Sequence, residues 1–210
     1  MPIFILIRHG ENDYLKKNKL PGRLPGIHLN ERGREQAAAL AETLTSLPIK
    51  AIYASPLERA VETAEPLAQI LALEIQLQPG LMDTDVGDWT GRSWKALGRT
   101  KIWKVIQRAP SQFQFPGGET FIQAQNRTVA ALEAIAAVHK KEMVAVVFHA
   151  DPIKLAVAHY LGLPLDNFQR LTVHTGSVTI IQVNGLNSKL LALNLIPPFS
   201  FPNSMSFIHQ

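Results

Sequence analysis

Two histidines each close a short apolar run. Residues Ile3 to Ile7 lead into Arg8-His9-Gly10-Glu11, and Met143 to Phe148 lead into His149-Ala150-Asp151. A neutral imidazole is a nucleophile near pH 7, and its second nitrogen can be fixed by a backbone carbonyl. Runs of β-branched and aromatic residues followed by a turn and a helical pattern have the form of buried parallel strands. In open α/β sheets, ligands bind beyond the carboxyl ends of such strands. His9 and His149 are therefore expected in one cleft, although they lie far apart in the chain. A third segment, Ala51 to Ala54, reads as a strand, with Ser55-Pro56 as N-cap and first residue of a helix that carries Arg59 on its first turn. Arg8 and Arg59 then supply two guanidinium forks, which suit phosphate or carboxylate oxygens. Two arginines and two histidines with no nearby cysteine make a pocket for a dianion.

Five motifs follow one another between residue 3 and about residue 195: Arg8-His9-Gly10-Glu11; Ser55-Pro56-Leu57-Glu58-Arg59-Ala60 with Thr63-Ala64; Val86-Gly87-Asp88-Trp89-Thr90-Gly91; Phe115-Pro116-Gly117-Gly118-Glu119; and His149. In this order they resemble the histidine phosphatase superfamily, also called phosphoglycerate mutase-like, and within it the phosphatase-like and phosphomutase-like branches. The resemblance implies a covalent mechanism in which His9 attacks phosphorus and forms a phosphohistidine. Arg8, Arg59 and His149, with Ala150 beside them, would hold the phosphoryl oxygens, and neither a metal nor another cofactor is called for. The family's acid precedes its glycine-tryptophan motif; the matching position is Asp83, with Asp85 as the alternative. Glu119 would support the site from behind, whereas Trp89 is assigned to packing. Asn12 and Leu15 stand where many members carry other polar groups, so Asn18 or Arg23 is the candidate for a replacement substrate contact. Hydrolysis of a small phosphorylated metabolite is the favoured activity; phosphoglycerate mutase-like transfer to a sugar-acid hydroxyl is the alternative.

The elements that must position these groups are legible as periods. Apolar residues recur with a helical repeat at Ala37, Leu40, Ala41 and Leu44, at Leu57 to Ala68, and at Ala124 to Val138. Asn30 and Asp151-Pro152 read as helix starts, Gly117-Gly118-Glu119-Thr120 as a turn into a helix, and Pro66 as an interruption that bends its helix. Strand-like runs alternate with these helices, which predicts an α/β fold: a three-layer sandwich whose mostly parallel central sheet is covered by helices on both faces. Ser177–Val183 and Leu190–Leu195 flank Asn184-Gly185 and read as a closing strand pair. Residues 82–117 hold Trp94, Leu97, Ile102, Trp103 and Ile106 at roughly helical spacing, a small helical cap insertion. Residues 1–196 are read as a single domain, 197–210 as a peripheral tail, and Asn12 to His28 as a loop over the site.

Composition limits the other classes. The chain has 210 residues, a formal net charge of +4 and no cysteine, which removes thiolate zinc sites, disulfide frameworks and cysteine-based phosphatases. Lysines and arginines are dispersed and carry no aromatic interleaving, so no nucleic-acid partner is expected. No run approaches the ~20 apolar residues of a membrane span, and the expected location is cytoplasmic. The oligomeric state is not encoded in any pattern. Asp83-Thr84-Asp85-Val86 matches the signature of haloacid-dehalogenase-type phosphatases, yet it does not end a first strand. A phosphoryl-ligand binding protein of the same fold is the non-catalytic reading, which retention of Arg8, His9, Arg59 and His149 disfavours.

Overall fold

The computed structural model describes residues 1–185 and 187–199. In chain order the elements are β1 (Ile3–Arg8), α1 (Asp13–Lys16), α2 (Glu31–Leu44), β2 (Ile49–Ala54), α3 (Glu58–Leu71) and β3 (Ile75–Leu77). They continue with α4 (Trp94–Leu97), α5 (Lys101–Arg108), α6 (Phe121–Val138), β4 (Met143–Phe148), α7 (Ala150–Tyr160), β5 (Val178–Gln182) and β6 (Lys189–Leu195). The six strands form one sheet in the order β3-β2-β4-β1-β5-β6. The β3, β2, β4 and β1 strands run parallel, and β5 and β6 add an antiparallel edge.

Alternation along the strands builds the layers. Ile3, Ile5 and Ile7 face α2 and α3 through Leu40, Leu44, Ala60, Ala64 and Leu67, whereas Phe4 and Leu6 face α6 and α7 through Leu132, Ile135, Ile153 and Val157. Both faces of β1 and β4 are thus buried, which is why these strands read as unbroken apolar runs. A third cluster joins the 82–117 segment to the ends of α6 and α7, with Trp89, Leu97, Ile106, Phe113 and Phe115 against Phe121, Leu155 and Phe168.

The predicted sandwich and its mostly parallel sheet are present, with local corrections. Helix α3 begins at Glu58 behind Leu57, not at Ser55-Pro56, and no side chain caps it. Helix α7 starts one residue before the Asp151-Pro152 signal. Pro66 does not interrupt α3, which runs unbroken across it. The edge strand β3 was not expected; it is three residues long and its Leu77 is exposed, so it carries little pattern. Asn30 caps α2 through Gly33 N at 2.9 Å, and Thr120 with Gln123 forms a capping box on α6. Of the expected tail, Phe199 packs against the α2/α3 side of the core, and residues 200–210 lie outside the described residues. Among the described residues no helix is long and apolar enough to cross a membrane.

Backbone meets backbone where β1 turns toward α2. A Cβ on Gly33 would lie 2.1 Å from the Glu11 carbonyl oxygen, and one on Gly10 would lie 2.5 Å from the Gly33 oxygen. Replacing an interior helix glycine by alanine ordinarily stabilises by about 1 kcal/mol. At Gly33 the clash reverses the sign, and Gly33→Ala is expected to destabilise by about 1–3 kcal/mol, read from urea unfolding. An unchanged or raised unfolding midpoint would show that the loop after β1 yields freely.

Candidate active site

Parallel pairing of β1 with β4 sets Arg8 opposite Phe148, so the next residue of each strand, His9 and His149, emerges at the same sheet end. The ring centroids are 5.2 Å apart, and the residues are 2% and 0% exposed. His9 Nδ1 lies 2.7 Å from the Gly10 carbonyl oxygen. A carbonyl only accepts, so Nδ1 carries the hydrogen and Nε2 keeps the lone pair. The Gly10 amide is itself held, donating to Thr63 Oγ1 at 2.9 Å, and that hydroxyl donates to the Arg59 carbonyl at 2.6 Å. Thr63 and Arg59 lie four residues apart on α3, one turn of helix, so the SPLERAxxTA pattern ties the nucleophile loop to the arginine.

His149 is oriented by Ser55, whose Oγ lies 2.8 Å from Nε2 and also accepts from Leu57 N at 3.4 Å. The Ser55 hydroxyl hydrogen is the donor available to Nε2, an arrangement that leaves the ring hydrogen on Nδ1. Nδ1 is 3.6 Å from Asp83 Oδ2 and has no hydrogen-bond partner. Ser55 was read as a helix cap; its role here was missed because its partner is 94 residues away in sequence.

Arg59 is 0% exposed and donates NH2 to the Gly22 carbonyl at 2.8 Å and to Asp83 Oδ2 at 3.3 Å. Arg8 donates NH1 to the Val173 carbonyl at 2.7 Å. Each guanidinium is thus anchored at one end only. Arg8 Nε, Arg59 Nε and NH1, and His149 Nδ1 are buried donors without partners. Buried donors are costly to leave unpaired, and these belong to the two arginines and the histidine that neighbour Asp83, which marks a site for an oxyanion. Burial, then Arg59 and Arg8, hold the His9 imidazole well below its usual pKa; burial and the same arginines, with His9, do so for His149. Burial pushes the Asp83 carboxyl upward although Arg59 and Arg8 oppose it, with Asp151 adding to the rise.

The two candidate acids have different surroundings. Asp83 contacts Arg59 and faces His149, whereas Asp85 turns away to accept from Gly87 N at 3.1 Å and to pair with Arg23 at 3.5 Å. The loop that carries them is braced from outside. Glu119 accepts from Asp85 N, Arg23 and Arg127, and Arg127 also donates to the carbonyls of Gly80, Met82 and Asp83. Arg127 was not singled out in the sequence, because an arginine on a helix flank has no distinguishing pattern.

Arg23 and Asn18, expected as substrate contacts, are placed as follows. Arg23 spends its donors on the Asp83 carbonyl, Asp85 and Glu119, and so braces the acid loop. Asn18 is an exposed turn residue with φ +53°, whose carbonyl accepts from Trp94 N at 2.9 Å. The cleft, about 210 Å³, is walled by Arg8, His9, Asp83 and Ala150 together with Leu15, Pro21 and Gly22 of the 12–28 segment. Asp83-Thr84-Asp85 follows a 3-10 turn at Pro79–Leu81 rather than ending a strand, against the haloacid-dehalogenase reading. Among the described residues no group of three or more histidine, aspartate or glutamate side chains is arranged to hold a metal ion.

A paired-histidine, paired-arginine oxyanion site at the carboxyl end of a mostly parallel sheet defines a phosphate-handling α/β class. The chain belongs to the histidine phosphatase superfamily (branch 1), whose model matches residues 4–196. It is 28% identical over 201 residues to phosphoserine phosphatase 1 of Hydrogenobacter thermophilus, covering 91% of each chain. It is 35% identical over 156 residues to a metal-independent phosphoserine phosphatase of Arabidopsis thaliana, covering 71% of this chain and 65% of that protein. In structure it is similar to the mycobacterial glucosyl-3-phosphoglycerate phosphatase Rv2419c complexed with VO3, with a TM-score of 0.85, 26% identity, and 92% and 98% of the two chains covered.

Two outcomes are expected from this geometry. Ser55→Ala leaves His149 Nε2 without a donor and its tautomer unset, at about 1–3 kcal/mol, or roughly 5- to 150-fold in kcat/KM. Ser55→Thr, which keeps the hydroxyl, is expected to retain most activity; equal rates for Ala and wild type would remove Ser55 from the site.

The second concerns stability. Both histidines have folded pKa values below the unfolded value of about 6.5, so below that pH the unfolded chain takes up protons that the folded chain refuses. Their contribution is fully present above about pH 6.5 and is lost as pH falls, by about 1.4 kcal/mol per pH unit for each histidine. Asp83 and the exposed His28, whose pKa values are raised, work in the opposite direction, but His28 is screened by solvent and both buried imidazoles are held well below their usual value. Unfolding free energy is expected to fall between pH 7 and pH 5.5, and His149→Asn to remove about half of the fall. A flat profile would show that these imidazoles are not held neutral.

Proposed function

We propose that the protein hydrolyses a small phosphorylated metabolite through a phosphohistidine at His9. The observation that carries this reading is the set of unpartnered buried donors around a histidine whose Nδ1 is engaged by its own Gly10 carbonyl. Non-bridging oxygens of a phosphomonoester dianion would accept from Arg8 Nε, Arg59 Nε and NH1, and His149 Nδ1–H. His9 Nε2 attacks phosphorus as the ester P–O bond breaks, and Asp83 gives its proton to the departing alkoxide. The carboxylate left behind then takes a proton from water as that water attacks the phosphohistidine, releasing phosphate and restoring His9. Such transfer depends on positioning and charge stabilisation, and a fixed cationic cradle supplies both. The upward push on the Asp83 carboxyl supports its use as an acid near neutral pH.

Residues 1–196 would act as one catalytic unit, with 82–117 closing the pocket beside the leaving group. A cysteine-free chain suits a reducing cytoplasm. Resemblance to two phosphoserine phosphatases, one of them metal-independent, supports water as the acceptor.

The test is turnover with excess EDTA, combined with acid quenching to trap the phosphoenzyme. Wild type is expected to turn over and to label; His9→Ala is expected to do neither, and acid-labile label on that variant would overturn the nucleophile. Asp83→Asn is expected to slow an alkyl phosphate by roughly 10²–10⁴-fold while largely sparing p-nitrophenyl phosphate, whose leaving group needs little protonation. The same signature from Asp85→Asn instead would move the acid.

A further inference from the structure

The cleft at His9 does not end at the phosphoryl cradle. It shares Leu20, Val86, Trp94, Asp151 and Lys154 with a second cavity of about 220 Å³. The rest of that wall is chiefly aromatic and aliphatic: Trp89, Trp103, Ile106, Phe115 and Phe121. The rings are fixed by one another, Trp94 edge-on to Trp103 at 5.5 Å and Trp89 edge-on to Phe115 at 5.5 Å. Aromatic side chains lose little freedom on binding, so such a wall is preorganised for a flat apolar body.

Charge points the same way. Lys154 is the one cation among the residues lining this cavity, and its ammonium is already 3.2 Å from Asp151 Oδ1. The pair offers no net charge to a carboxylate, which a phosphorylated amino acid or sugar acid would carry. A small polar alcohol would leave the aromatic wall unused.

From the wall that the two cavities share we infer that the leaving alcohol of the substrate carries a planar aromatic body, which occupies the Trp89/Trp94/Trp103/Phe115 cavity while its phosphate lies at His9. The inference rests on the phosphatase reading for the position of the phosphate. It assigns the 82–117 segment the task of choosing the substrate, and Trp103 a specificity role.

The experiment compares kcat/KM for 2-phenylethyl phosphate, ethyl phosphate and phosphoserine, all with poor alkyl leaving groups, so that acid catalysis weighs similarly on each. Burying a phenyl ring is worth roughly ten- to a hundredfold, and the phenylethyl ester is expected to lead both others by at least about tenfold. Trp103→Ala, and the milder Trp103→Leu, are expected to lower that ratio at least about fivefold. Binding of 3-phenylpropylphosphonate against propylphosphonate, measured by calorimetry on wild type, reads the same preference without turnover. A ratio under about tenfold in both measurements, a preference for phosphoserine, undetectable binding of the phenyl phosphonate, or a ratio indifferent to Trp103 would overturn the inference. Tenfold phosphonate discrimination with no turnover of any ester would overturn the phosphatase reading alone and support this one.

Discussion

Burying two guanidinium groups beside two imidazoles is the constraint around which this molecule is built. Like charges taken out of water repel strongly, and neither arginine can give up its proton to relieve the strain. The chain tolerates them because each fork is tied to a backbone carbonyl, Arg8 to Val173 and Arg59 to Gly22, and because one carboxylate, Asp83, lies among them. Burial, reinforced by the positive field at the imidazoles and opposed by it at Asp83, then sets the other protonation states. Both histidines stay neutral, one with a lone pair on Nε2 and the other with a hydrogen on Nδ1, while Asp83 keeps an elevated affinity for its proton against the arginines. A phosphoryl dianion is the ligand that would relieve this imbalance.

Those anchoring carbonyls belong to loops, so loop positions become part of the electrostatics. Gly22 lies in the 12–28 loop, which is stitched to the 82–117 segment by backbone bonds from Leu20 N to Arg92 O, Gly91 N to Leu20 O and Trp94 N to Asn18 O. Arg23, Arg127 and Glu119 clamp the acid loop from the far side. Charges outside the cleft thereby hold the carbonyls and the carboxylate that the charges inside require.

What the sequence revealed followed the same division. His9, His149, Arg8 and Arg59 were legible because strand ends and helix starts announce themselves through periodicity, and because a sheet with parallel β1 and β4 leaves their ends little choice of neighbour. Asp83 and Asp85 read alike in sequence, since their difference is the path of a loop held by arginines 60 and 44 residues away in the chain. Ser55 looked like a cap because serine before proline usually is one; a tertiary hydrogen bond to His149 took the hydroxyl instead. Arg23 and Asn18 were expected at the substrate because charge and polarity are visible in a sequence, whereas the direction of a side chain in an irregular loop is not. The edge strand β3 was too short and too exposed to leave a pattern.

The contact between Gly10 and Gly33 bears on how such a protein can diversify. It sets main-chain atoms against one another at the reactive end of the sheet and leaves no room for a side chain at either position. The aromatic segment at 82–117 presents side chains to its cavity, and these can be varied singly. Mutational change is therefore channelled: the chemical half of the molecule behaves as an inherited chassis, while its selectivity half is the interchangeable part.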